Sequence, residues 1–203
     1  MEQNQPQPPV FNQPPVQEPV PEYQPRVTAS PTLGPVEAVT TCFKKYFDFK
    51  GRARRSEFWW FIAFVVIVSI AITFLSGLVP ALGYVGMLFF LATVIPEMAV
   101  LTRRLHDANH SGWWVVLLVL LLIGYYVSFG ILMLPLGNDL MAITDPMEMA
   151  TVLVDALQAN PVAAGVMALC SMAMMLLSLI LLIFTLQDSK WGANKWGPSP
   201  KYK

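Results

Sequence analysis

Between Glu57 and Arg103 the chain carries one charged side chain, Glu97, and the apolar run is broken only in the middle, by Gly77, Pro80, Gly83 and Gly86. A single helix of that length would overshoot a bilayer about twofold, since a span needs about 20 residues for a hydrocarbon core near 30 Å. The run therefore predicts two helices, 58–78 and 82–101, joined by a tight turn. A third apolar stretch, 113–134, stops at Pro135, Gly137 and Asn138, and a fourth, 163–186, follows Pro161. Composition agrees: 55% of the chain is hydrophobic and only 13% charged, against about a quarter charged in soluble domains. The expected fold class is all-α, a polytopic membrane protein whose residues 51–190 form a four-transmembrane-helix bundle.

The ends of the chain read differently. Residues 1–35 hold 10 of the 17 prolines and six glutamines, with almost no large apolar side chains, so they cannot bury enough surface to offset backbone ordering. They are expected to form a disordered Pro/Gln-rich tail, in which Pro6 to Pro9 has the PxxP spacing of polyproline ligands. The tail lacks the basic start and apolar core of a secretory signal, so an unprocessed N-terminus is expected. Over 36–50, Val36, Val39, Phe43 and Phe47 recur at helical spacing among Lys44, Lys45 and Lys50. That pattern fits an amphipathic helix lying on the membrane, or equally one packed on the protein's own polar end. Residues 191–203 read as a C-terminal tail.

Basic residues are distributed asymmetrically. Lys44, Lys45, Lys50, Arg52, Arg54 and Arg55 precede the first span, Arg103 and Arg104 lie between the second and third, and Lys190, Lys195, Lys201 and Lys203 follow the fourth. The other two connections contain no Lys or Arg, and the 135–161 loop carries Asp139, Asp145, Glu148 and Asp155 instead. The positive-inside rule then predicts both termini and the middle connection in the cytoplasm. Trp59, Trp60, Trp113 and Trp114 stand at the same ends of their spans, where amphipathic rings favour the interface. A net charge of zero gives no case for nucleic acid as a partner. Cys42 and Cys170 fall on different levels and are expected to be free thiols.

Three strings carry a resemblance: KKYFDFKGRARRSEFWWF before the first span, RRLHDANHSGWW before the third, and NKWGPSP after the last. In combination and order, over about residues 40–200, they resemble the DUF805 family of small bacterial inner-membrane proteins. The resemblance implies a four-helix domain of the bacterial cytoplasmic membrane with no assigned activity. The chain departs from the pattern at His110, where Arg or Lys is commoner, and at Ser199, where Asp is.

Read physically, the first two strings gather Arg52, Arg54, Arg55 and Glu57 at the mouth of the first helix and Arg103, Arg104, His106 and Asp107 on the middle loop. Guanidinium groups in such places need carboxylate or phosphate partners. One reading is an internal network in which Glu57 or Asp107 pairs with an arginine of the other string; the other is a site for an anionic headgroup or phosphate. The two strings also resemble each other, which suggests a parallel repeat of two hairpins. Glu97, next to Pro96, is the one acid inside a predicted span, and an intramembrane carboxylate raises a proton or ion role. An arginine such as Arg55 or Arg103 is the structural alternative for its partner.

Weaker signals complete the reading. His106, Asp107 and His110 suggest a metal only faintly, and Met172, Met174 and Met175 beside Cys170 read as gap-filling core rather than a soft-metal site. Ser69, Thr73 and Gly77, and Ala164 and Ala168, form small-residue stripes that suit internal packing or a homo-oligomer seam. No nucleophile-plus-base pair or glycine-rich phosphate loop is present, so no catalytic residue, metal or cofactor is assigned and an enzyme is the less favoured class. The function expected is that of a small interaction partner, scaffold or modulator of a membrane complex. A small transporter or channel using Glu97 and the arginines comes second, and a lipid-headgroup-binding protein or enzyme third. The expected partners are anionic lipid headgroups and a membrane protein or a second copy.

Overall fold

A computed structural model describes residues 29–137 and 143–202. Most of the Pro/Gln-rich tail, including Pro6 to Pro9, and Asp139 of the long connection lie outside the described residues. The architecture is helical: α1 Pro35–Lys44, α2 Arg55–Leu78, α3 Leu82–Asp107, α4 Trp113–Met133, α5 Pro146–Ala159 and α6 Pro161–Leu186, with a 3-10 turn Leu134–Leu136 after α4. Four of these, α2, α3, the α4 stretch and α6, are long and apolar enough to cross a membrane.

The helices pair as two hairpins. α2 runs along α3 and α4 along α6, whereas the pairs meet each other mainly where α3 ends. Two small cores mark these seams. Cys42, Ala53, Phe58, Phe61 and Val100 join α1, α2 and α3; Leu105, Val115, Leu177 and Leu181 join α3, α4 and α6. Side chains such as Ile67, Phe74, Leu88 and Leu169 face outward, as expected of helices solvated by lipid. Backbones approach closely at Gly86, where a Cβ would stand 3.3 Å from Ile72, and at Gly124, where it would stand 3.0 Å from the Cys170 sulfur. The Ser69, Thr73 and Gly77 stripe does not mark such a seam: Thr73 is exposed and a Cβ at Gly77 would meet nothing.

Several boundaries differ from the sequence expectation. α2 begins at Arg55 and α3 continues to Asp107, so Arg103, Arg104, His106 and Asp107 are helical rather than loop residues, whereas Arg52 and Arg54 precede α2. Pro96 stays inside α3, and the helix ends where Asn109 takes φ +68 and the His110 N–H reaches back to the Leu105 carbonyl at 2.8 Å. That left-handed closure is a common helix C-terminus, and Asn is the non-glycine residue best suited to it. The amphipathic helix expected over 36–50 stops at Lys44, leaving Phe47 outside it, and packs on α2 through Ala38, Cys42 and Phe43. The 135–161 connection contains α5, whose start is capped by Asp145 Oδ1 accepting from the Met147 N–H at 3.0 Å, with Pro146 at the first helical position. Both cysteines are free, and Met172 and Met175 face outward rather than filling core.

The described segments that flank the bundle touch each other. Ser30 donates its N–H to the Lys201 carbonyl at 2.7 Å and Ala29 bridges Tyr202, so residues just before α1 lie against the C-terminal segment. That segment folds back over the end of α3, with the Asn194 amide donating to the His106 carbonyl at 2.9 Å.

Candidate functional site

The end of the bundle where α3 and α6 run out holds the buried charged groups among the described residues. The α3 sequence places Arg103, Arg104 and Asp107 within its last turn, so they diverge around the helix and reach three different segments. Asp107, fully buried, accepts from Arg52 Nε at 2.9 Å on one oxygen and from Arg104 Nη1 at 2.5 Å on the other. The Ser189 hydroxyl donates to that second oxygen, also at 2.5 Å. Arg103 pairs with Glu57 of α2 at 2.9 Å, both side chains almost wholly buried. Each pair that crosses from one arginine string to the other is thus present: Arg52 with Asp107, and Glu57 with Arg103.

Most of the remaining guanidinium donors go to backbone carbonyls. Arg104 donates through Nε to Thr185 at 3.1 Å and through Nη2 to Gln187, at the C-terminus of α6. Arg103 Nη1 reaches Lys45 at 3.2 Å and Asp48 at 2.7 Å, just past α1. Arg52 takes Gly192 at 2.8 Å and Lys190 at 2.6 Å, which ties down the segment after α6. Helix C-termini leave carbonyls without internal partners and carry partial negative charge, so cations belong there. Arg103 Nε is the one buried side-chain polar atom left without a partner among the described residues.

The outer members are weaker. Arg54 donates to the Ser30 carbonyl at 2.9 Å and to that of Pro31. Arg55 meets Asp188 at 3.0 Å, but both side chains are nearly half exposed, and Asp188 is shared with Lys201 at 2.6 Å. The Lys201 ammonium is the main cause holding the Asp188 carboxyl below its usual range. His106 does not join the arginines. Its Nδ1 faces the Gly51 carbonyl at 3.2 Å and its ring stacks on Trp196 at 4.4 Å, while His110 stacks on Phe184 and contacts the Gln187 side chain at 2.9 Å. His106, Asp107 and His110 therefore face three different sets of neighbours.

Glu97 lies apart from the cluster. It is half-buried on α3 and makes no ion pair among the described residues. The arginines expected to reach it are engaged elsewhere, Arg103 with Glu57 and Arg55 with Asp188. Sequence reasoning missed Ser189, Asp188 and Asn194. Ser189 and Asp188 carry no pattern of their own; Asn194 sits in the NKWGPSP string, where its amide role could have been sought.

Cys42 lies under this cluster. Burial, aided by the Glu57 charge and opposed by Arg103 and Lys45, pushes its thiol up to about 12.

A helical membrane domain of two hairpins, the first closed by buried arginine-carboxylate pairs and joined to the second at that end by arginine donors on carbonyls of the α6 terminus and by the Ser189 hydroxyl on Asp107, is the class these features define. The chain belongs to the DUF805 family, described as protein of unknown function, whose pattern matches residues 46–198. It is similar to the inner membrane protein YhaI of Escherichia coli K12, 41% identical over 85 residues that cover 41% of this chain and 72% of that protein. It is also similar to the inner membrane protein YhaH of the same strain, 36% identical over 93 residues covering 74% of that protein. No solved structure matches. The chain is accordingly an integral inner-membrane protein.

Asp107→Asn leaves two buried guanidiniums without their carboxylate and is expected to cost about 3–5 kcal/mol, as removing one partner of a buried pair does. Arg55→Gln, at an exposed pair, is expected to cost under about 1 kcal/mol. Thermal unfolding in one detergent checks both, and equal losses would contradict the ranking. The pH dependence of Cys42 provides a second check. An ordinary thiol near 8.5 is roughly one-quarter thiolate at pH 8, whereas one near 12 is about one in ten thousand. In a Cys170→Ser background, maleimide labelling at pH 8 is expected to be slow until the protein is unfolded. Because the unfolded thiol loses its proton first, this group's contribution to stability is full below about pH 8.5 and is lost as pH rises towards about 12. Prompt labelling of the folded protein would show that Cys42 is not held protonated.

Proposed function

We propose that this protein acts by interaction, as a small partner, scaffold or modulator of an inner-membrane complex. The observation that carries this reading is the inward turn of Arg52, Arg103 and Arg104, whose donors, Arg103 Nε excepted, are engaged by this chain's own carboxylates and backbone carbonyls. A cluster built to capture a free anion keeps donors convergent on an open site. Here the same groups organise a rigid polar end, and lipid-facing helix surfaces and the Pro-rich N-terminal tail remain for partners. Native mass spectrometry of the full chain, gently extracted from its own membrane, is expected to retain another protein in defined stoichiometry.

A second reading is favoured by Glu97, which has no ion pair among the described residues and stands within a span. If the chain travels without protein partners and liposomes containing it show a proton or cation flux that Glu97→Gln abolishes, a transporter or channel replaces the interaction reading.

In our reading both termini and the 108–112 turn face the cytoplasm, supported by the gathering of the basic side chains at one end of the bundle. A cysteine at position 145 is then expected to react with an impermeant maleimide applied to intact spheroplasts. Labelling only after permeabilisation would invert the orientation.

A further inference from the structure

α3 and α4 follow one another in the chain, yet each packs along a different helix, α3 on α2 and α4 on α6. At the turn between them the approach is close: a Cβ on Gly112 would stand 2.9 Å from Thr102 Cγ2 and 3.2 Å from His106 Nε2. Beyond that turn the helices leave a groove of about 700 Å³, walled by Val94, Ile95 and Met98 of α3 and by Val116, Val119 and Leu120 of α4. From Val94 to His106 a helix rises about 18 Å at about 1.5 Å per residue. That is roughly one leaflet of a bilayer whose hydrocarbon core is about 30 Å thick. Val116 and Leu120 are exposed, so the groove is open to its surroundings along this wall.

The groove changes character along its length. Its deep part is aliphatic, while the end beside the arginine cluster is lined by His106, Ser111, Lys195 and Trp196. Lys195 and His106 are the ionisable groups of the lining, and no carboxylate is among them. The Lys195 ammonium lies 4.2 Å over the Trp196 ring, which itself stacks on His106. A cation is thereby held at the polar mouth of an aliphatic slot, and among the described residues no acid lines that mouth to neutralise it.

We propose that this groove seats one acyl chain of an anionic phospholipid from the leaflet at the arginine end, with the lipid phosphate against the Lys195 ammonium. The aliphatic walls match a hydrocarbon chain, since water has no polar partners there and a void of this size would forfeit packing. The mouth selects an anion: basic pockets between transmembrane helices bind acidic headgroups. A zwitterionic ethanolamine lipid brings an ammonium for which the lining offers no carboxylate. The arginine cluster plays no part in this contact, because none of its arginines lines the groove.

The test is native mass spectrometry of the full chain, delipidated in detergent and titrated separately with phosphatidylglycerol and with phosphatidylethanolamine of the same acyl chains. The expected result is one phosphatidylglycerol per chain, bound roughly tenfold more tightly than phosphatidylethanolamine, as one or two near-surface charge contacts allow. Lys195→Glu, an exposed position, is expected to remove that preference at an unchanged unfolding midpoint. Val116→Trp, which fills the slot without altering charge, is expected to weaken both lipids. Excess glycerol phosphate, a headgroup without chains, is expected not to displace the bound lipid. Equal affinity for the two lipids, binding undiminished in both variants, displacement by glycerol phosphate, or a lipid-free dimer in place of the lipid adduct would each overturn the proposal.

Discussion

One buried carboxylate, that of Asp107, lies between the guanidiniums of Arg52 and Arg104 and joins the segments before α2, at the end of α3 and after α6. In lipid, helices gain little from hydrophobic contact with one another, because acyl chains are as apolar as leucine. The two hairpins touch mainly near this end, so the polar contacts there decide how they are set relative to each other. A buried ion pair is a poor source of stability unless every remaining donor and acceptor is satisfied, because desolvation offsets the attraction. Two cations against one anion would leave an excess positive charge. The carbonyls of Thr185, Gln187, Lys190 and Gly192 absorb it, two of them at the negative end of α6.

This arrangement explains why the residues are arginines. Arg52 uses Nε and both terminal nitrogens on a carboxylate and on backbone carbonyls of another segment, and Arg104 does the same. A lysine ammonium is a compact charge with three donors and cannot span a carboxylate and a helix end in a planar fork. Arg103 applies the same geometry to α1, meeting Glu57 on one side and the Lys45 and Asp48 carbonyls on the other. The chain leaves α1 at that point, which is why the helical pattern of Val36, Val39 and Phe43 does not continue to Phe47.

What was legible in the sequence follows from the same physics. Long apolar runs bounded by charge have few solutions in a bilayer, so the four spans could be read to within several residues. The two arginine strings each carried an acid, and cross-pairing between them was a readable expectation. Backbone carbonyls as partners were not readable, since every residue has one and no side-chain pattern marks which will be free. Nor was the missing partner of Glu97, because Arg103 lies within reach of it in sequence but is claimed by Glu57 across the hairpin. The start of α5 was legible and passed over: Asp145 before Pro146 is a capping signal, obscured by reading the acids of 135–161 only as a loop of negative charge. Small-residue spacing is a different kind of signal. It states where a backbone could approach, whereas the neighbours that do approach arrive at Gly86 and Gly124.

The tie at one end also shapes what the rest of the molecule can do. The two hairpins share their polar contacts where α3 runs out, and beyond the Gly112 turn a groove opens between α3 and α4. That groove, walled largely by aliphatic side chains and ending at Lys195, starts beside the end that the arginine network organises. The segment carrying Lys195 is held in position by Arg52 through Lys190 and Gly192 and by Asn194 on the His106 carbonyl. The cation at the mouth thus depends on the network that joins the hairpins, and a change in that network would reach the groove through residues that do not line it.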